Sequence, residues 1–273
     1  MIKYHAEGDA SSPFFHSEYH QIRETLRLEK EASKRPWVTL VSTKANWHRL
    51  IVAICTGFFS QWSGNGLISY YLAKILALVG ITQRSTQNKL NLGLSCWSFA
   101  CTIGSSLLAA KWLRRRQLMS GYLGMTVIFT LYTACSALYA KDTNKAAGIA
   151  VIAFIFLFNA AYSLMSPFQY LYVSEIFPFI IRSKGIAVMQ MSTRIAGAFN
   201  TLVNPIGLKA LHWKFFIVYV VWLVVETTIV YTMFPETQGP SLEEVALVIE
   251  GDKAAVEPVL EKPHTIEERV EKI

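Results

Sequence analysis

Charge is scarce in this sequence. Only 16% of its 273 residues are Asp, Glu, Lys or Arg, against roughly a quarter in a soluble globular domain. With 52% hydrophobic residues beside it, that scarcity excludes an ordinary water-soluble fold. Cysteine is scarce too. Cys55, Cys96, Cys101 and Cys135 all fall in apolar stretches without metal-ligand spacing, so they read as small packing residues rather than metal ligands. There is no nucleophile–base set, no metal-ligand cluster and no phosphate loop, and therefore no enzyme chemistry, metal or cofactor is expected. Segments of about ten residues with alternating polarity are missing, which excludes a transmembrane barrel. The chain does not open on a basic stretch followed by an apolar core, so the first apolar span is expected to act as the targeting signal.

What is present is length without charge. Six stretches, Leu50–Tyr71, Leu90–Ala110, Leu118–Ala140, Ala147–Tyr170, Lys184–Leu208 and Trp213–Phe234, each approach the roughly 20 residues a helix needs to cross a bilayer. A backbone in lipid must satisfy its own hydrogen bonds, so runs this long should be helices. The expected fold class is all-α, a transmembrane six-helix bundle at residues 47–236 in contact with the lipid bilayer. A linker with an amphipathic helix (1–46) precedes it and a mostly disordered tail (237–273) follows. The net charge of +7 and pI of about 9.2 do not call for nucleic acid, because Lys and Arg gather in short loops beside spans. Lys111 and Arg114–Arg116, Arg182 and Lys184, and Lys34, Arg35, Lys44 and Arg49 share the side of the termini. This bias predicts cytoplasmic termini. Ser17–Ser33 has helical spacing, and a short helix capped by Ser241 is expected at Ser241–Glu250.

The first span is unusually polar. In FFSQWSGNGLISYY, Gln61, Asn65 and Ser69 follow an i, i+4, i+8 spacing and share one face of a continuous helix. Amides and hydroxyls on one face suit an uncharged, polyhydroxylated ligand, since each group donates and accepts. They equally suit helix–helix contacts in lipid, where small and polar residues pack spans together. Two charges, Arg194 and Glu226, lie inside spans, where charges are costly and mark functional or paired groups. Arg194 is ten residues from Lys184 and Glu226 eight from Phe234, so their depths differ by only about 3 Å. An Arg194–Glu226 pair joining the last two spans is expected, with a structural role.

Phe58–Tyr71 resembles the seventh helix of the sugar porter family of the major facilitator superfamily, which reads QQ-x-SG-x-N-x-x-x-YY. Gln61, Ser63, Gly64, Tyr70 and Tyr71 match. Ser60 replaces the first glutamine, and Asn65 stands one residue before the usual asparagine. SPFQYLYVSEIFPFIIRSKG (Ser166–Gly185) resembles the tenth helix and the loop after it, with Pro167 breaking the helix. PETQGPSLEE (Pro235–Glu244) matches the family's PETKG-x-x-LEE. AKWLRRR departs from Asp-x-x-Gly-Arg-Arg at Ala110 and Leu113. Val203–Phe216 is similar to fungal lactose and disaccharide permeases.

The resemblance implies a fold equal to the carboxy-terminal half of a major facilitator carrier, and transmembrane sugar transport by proton symport. It implies sugar binding by Gln61, Ser63, Asn65 and Tyr170, and an outer gate at Tyr70 and Tyr71. It implies a cytoplasmic gate at Glu175, Arg182, Arg114 and Arg115; charges there also suit simple anchoring of helix ends. Partners would be a sugar, protons and a missing amino-terminal half, and the location the plasma membrane. The resemblance covers only half a family member. The alternative is therefore a non-transporting truncated membrane protein, or a sugar sensor or partner half.

Overall fold

The computed structural model describes residues 13–78, 80–109, 111–142 and 145–237. Among them every regular element is helical: α1 (Pro13–Lys34), α2 (Lys44–Trp62), α3 (Asn65–Leu78), α4 (Arg84–Ala109), α5 (Arg114–Asp142), α6 (Lys145–Met165), α7 (Phe168–Ile176), α8 (Phe179–Leu211) and α9 (Phe215–Met233). Short 3-10 turns at Trp37–Val41 and His212–Lys214 join α1 to α2 and α8 to α9. Each apolar stretch in the sequence falls on this framework, and the first and fourth are each split in two. Ala110 and the segment Ser241–Glu250 lie outside the described residues. So do the side chains of Tyr70 and Tyr71, whose backbone belongs to α3.

Among the described residues, four helical stretches are long and apolar enough to cross a membrane: Arg84–Ala109, Arg114–Asp142, Ala146–Ile176 and Phe179–Met233, the last containing both α8 and α9. Large apolar side chains stand exposed along them, among them Phe99 and Leu107 on α4 and Leu202 and Ile206 on α8. In water such faces would drive association; in a bilayer they meet hydrocarbon.

Packing follows small residues. α2 lies along α8, α5 along α6, with α9 on α5 and α4 on α6. Gly57 allows the first contact: a Cβ there would stand 2.6 Å from the Met189 carbonyl and 2.8 Å from Ser192 Cβ. Close backbone approach of this kind holds spans together where lipid removes the hydrophobic drive. The main core is rich in aromatic rings. Phe129 packs edge-on to Phe158 at 5.3 Å between centroids and lies against Tyr132 at 5.1 Å. A smaller core of Leu40, Leu50, Ala53, Val173, Phe177, Ile181 and Met189 joins α2, α7 and α8.

The entry to α2 is fixed by local chemistry. Thr43 caps it, accepting from the Asn46 amide at 3.1 Å. Asn46 donates to the Thr39 carbonyl at 2.8 Å and accepts from Arg49 at 2.9 Å. Arg49 is thereby held almost wholly out of solvent.

Candidate functional site: a broken helix beside an open face of α8

The polar span is not one helix. α2 ends at Trp62, Ser63 is its C-cap, Gly64 takes φ 98°, and α3 begins at Asn65. A left-handed residue is where glycine costs nothing and other residues strain. Ending a helix inside the bundle leaves carbonyls without partners, and neighbouring helices supply them. Tyr162 Oη donates to the Ser60 carbonyl at 3.0 Å and Asn200 Nδ2 to the Gln61 carbonyl at 2.6 Å, while the Phe59 carbonyl keeps its own helix's bond from the Ser63 amide at 3.2 Å. Trp62 Nε1 donates to the Ala196 carbonyl at 3.1 Å, tying the break to α8.

The break corrects the face expected from a continuous helix. Gln61 belongs to α2 and Asn65 to α3, so a single wheel does not relate them. Ser69 still donates to Asn65 Oδ1 at 3.2 Å within α3. The Gln61 side-chain amide makes no hydrogen bond among the described residues and stands near Gly197 of α8: a Cβ there would lie 3.6 Å from Gln61 Oε1. Ser63 is fully buried, away from any open face. Tyr170 on α7 is 52% exposed, and its hydroxyl accepts from Gln190 of α8. Gln61 and Tyr170 thus attach to α8 at Gly197 and Gln190, seven residues or roughly 10 Å apart along its axis.

Arg194 lies between those two anchor points and is exposed. It makes no ion pair with Glu226 among the described residues, which corrects the expected pair. Similar depth did not make them neighbours, because the two side chains leave their helices in different directions. Glu226 is fully buried and contacts Ser63 Oγ at 2.6 Å.

A second polar cluster sits where α5 and α7 meet the end of α9. Arg114 Nε lies 3.4 Å from Glu175 Oε1, and Thr237 Oγ1 donates to Glu175 Oε2 at 2.6 Å. Arg114 also donates to the Ala109 carbonyl and stands over the Phe168 ring. The other two expected gate residues go elsewhere. Arg115 donates to the Tyr231 carbonyl at 2.6 Å, and Arg182 to the Phe177 carbonyl at 3.3 Å. Glu236 is the residue that sequence reasoning missed. Its carboxylate accepts from the backbone amides of Arg114 at 2.9 Å and Arg115 at 3.1 Å. A helix N-terminus attracts an anion, and α5 begins with three arginines, so Glu236 supplies charge that the helix itself lacks. The one available signal was its place in the PETQG signature. Tyr172 Oη adds a bond to the Pro235 carbonyl at 2.7 Å, and Lys184 Nζ, buried, donates to the Arg35 carbonyl at 2.5 Å.

A family profile described as "Sugar (and other) transporter" matches residues 11–248. The chain belongs to the sugar porter family of the major facilitator superfamily. It is 30% identical to the MFS-type transporter oryC of Aspergillus oryzae over 262 residues, covering 89% of this chain and 48% of that one. It is 26% identical to a low-affinity glucose transporter of Kluyveromyces lactis, over 82% of this chain and 41% of that protein. The fold matches the proton:xylose symporter XylE bound to 6-bromo-6-deoxy-D-glucose with a TM-score of 0.68 at 17% identity, covering 86% of this chain and 49% of that structure. It also matches the inward-open xylose transporter XylE from E. coli, with a TM-score of 0.60 at 20% identity, over 73% of this chain and 41% of that structure. The sugar porter chain is thus an integral membrane protein with multiple helices, and it spans about half the length of the curated relatives it matches.

Proposed function

We propose that this sugar porter chain forms one six-helix half of a carrier for a small polyhydroxylated substrate, coupled to protons and seated in the plasma membrane with both termini cytoplasmic. The observation that carries the reading is the α2–α3 break, where the Gln61 amide has no hydrogen-bond partner among the described residues and stands beside the open face of α8. Gln61 and Asn65 would hydrogen-bond sugar hydroxyls, and the half-exposed Tyr170 ring would lie against the sugar's apolar face. Arg194, midway between them, would contact the same ligand. Tyr70 and Tyr71 would close the outer side, and Arg114 with Glu175 the cytoplasmic side. Names of relatives such as glucose transporter and proton:xylose symporter support the substrate class and the coupling.

The test is uptake of labelled glucose in a host without hexose carriers. The chain is expressed alone, and together with the amino-terminal half of the Aspergillus oryzae relative. Uptake is expected with the partner half and should rise when the outside is acidified. Gln61→Ala should weaken apparent affinity about tenfold, the worth of one hydrogen bond of about 1.4 kcal/mol; unchanged affinity would remove Gln61 from the binding set.

A second reading, a partner or sensor half that carries nothing across, is favoured by how many polar groups at the break already join helices. Membrane-inserted chain that gives no uptake in either arrangement supports it.

A further inference from the structure

Glu226 is not used by the carrier reading. It is fully buried on α9, and among the described residues no Lys or Arg nitrogen comes within 4 Å of it. Ser63 Oγ lies 2.6 Å from its Oε2, while Oε1 has no hydrogen-bond partner among the described residues. The titratable groups that face it are Cys55 from α2 and Tyr122 from α5. The Trp222 indole, one turn back on α9, points toward the carboxyl without making a hydrogen bond of normal geometry. None of these groups carries a positive charge.

Ser63 has two acceptors within reach. A serine hydroxyl has one proton to donate. Ser63 Oγ is within hydrogen-bond reach of two oxygens, the Phe59 carbonyl one turn back and Glu226 Oε2. Both contacts are hydrogen bonds only if a second proton is present. Placed on the carboxyl, it completes a chain: Glu226 Oε2–H donates to Ser63 Oγ, and Ser63 Oγ–H donates to the Phe59 carbonyl. An ionised carboxylate in the same position would have one neutral donor, one bare oxygen and no counter-charge, an arrangement that burial strongly disfavours.

We propose that Glu226 is a proton-binding site that couples α9 to the α2–α3 break. The bound proton bridges α9 to Ser63, the C-cap of α2. Loss of the proton turns the Ser63 hydroxyl toward the carboxylate and releases its bond to the Phe59 carbonyl, loosening the segment between Gln61 and Asn65. Proton occupancy at Glu226 and the conformation of the break are therefore coupled. The site stands on the geometry of the break and does not depend on what the open face of α8 carries.

Infrared difference spectroscopy on the full chain in lipid nanodiscs at neutral pH tests it. Wild-type protein is expected to show the carbonyl stretch of a non-ionised carboxyl group, lost in Glu226→Gln and shifted in frequency in Ser63→Ala. If Glu226→Gln removes carboxylate bands instead, Glu226 is ionised and the proposal is overturned. Should Glu226→Gln fail to fold, Ser63→Ala decides alone: a shifted acid band upholds the site, and an unmoved or missing one overturns it.

Discussion

The break between α2 and α3 and the cluster at the start of α5 both cope with helix ends, and they do so with different chemistry. At the break, the acceptors left by α2 are met by neutral donors: the Tyr162 hydroxyl and the Asn200 amide. At the start of α5, the orphan amides of Arg114 and Arg115 are met by the Glu236 carboxylate, flanked by Arg114 and Glu175. The difference follows from depth. Ser63 and Glu226 are fully buried, where an unpaired charge is prohibitive. The Arg114 and Glu175 side chains remain 15% and 22% exposed, so water and counter-ions reach them and full charges are tolerable. Neutral groups fix the interior by geometry, and charges fix the rim by attraction.

This contrast can be broken most severely from the inside. Gly57→Leu should force α2 away from α8, because even a Cβ meets the Met189 carbonyl at 2.6 Å. A cost of about 3 kcal/mol is expected for overpacking of this kind, seen as a lower melting temperature and less monodisperse protein on size-exclusion chromatography. Glu236→Ala attacks the rim and should cost about 2 kcal/mol by removing charge-assisted bonds to two backbone amides. Hydrogen exchange reads it directly: protection at the Arg114 and Arg115 amides should fall while that around Gln61 is unchanged. Equal loss at both regions would mean that they are not separate devices. The smallest effect belongs to the Arg114–Glu175 pair. A double-mutant cycle with Arg114→Met and Glu175→Gln should give a coupling of about 0.5–1 kcal/mol, and this should shrink as salt is raised. The break, built from neutral groups, should show no such salt dependence.

Much of this was legible in the sequence, and each failure has a physical cause. The apolar stretches place the helices because length without charge is a one-dimensional property. Pro167 foretells the split between α6 and α7, since proline lacks the donor a helix interior needs. Gly64 only hinted at the other split. A wheel drawn from Gln61 to Ser69 assumes unbroken phase, and the positive φ at Gly64 resets it. The Arg194–Glu226 expectation failed in the same way. Counting residues gives depth, but not the direction a side chain leaves its helix: Arg194 is exposed and Glu226 fully buried. The role of Glu236 was hidden because its partners are backbone amides, which leave no trace in side-chain spacing.

The Glu236 cap also has a mechanical meaning. It staples residues 122 positions apart along the chain, and Thr237 and Pro235 on either side of it bind α7 through Glu175 and Tyr172. The ends of α5, α7 and α9 are thereby clamped together. A chain cut after Pro235 would keep every membrane helix among the described residues and still lose the rivet, leaving three levers free of one another.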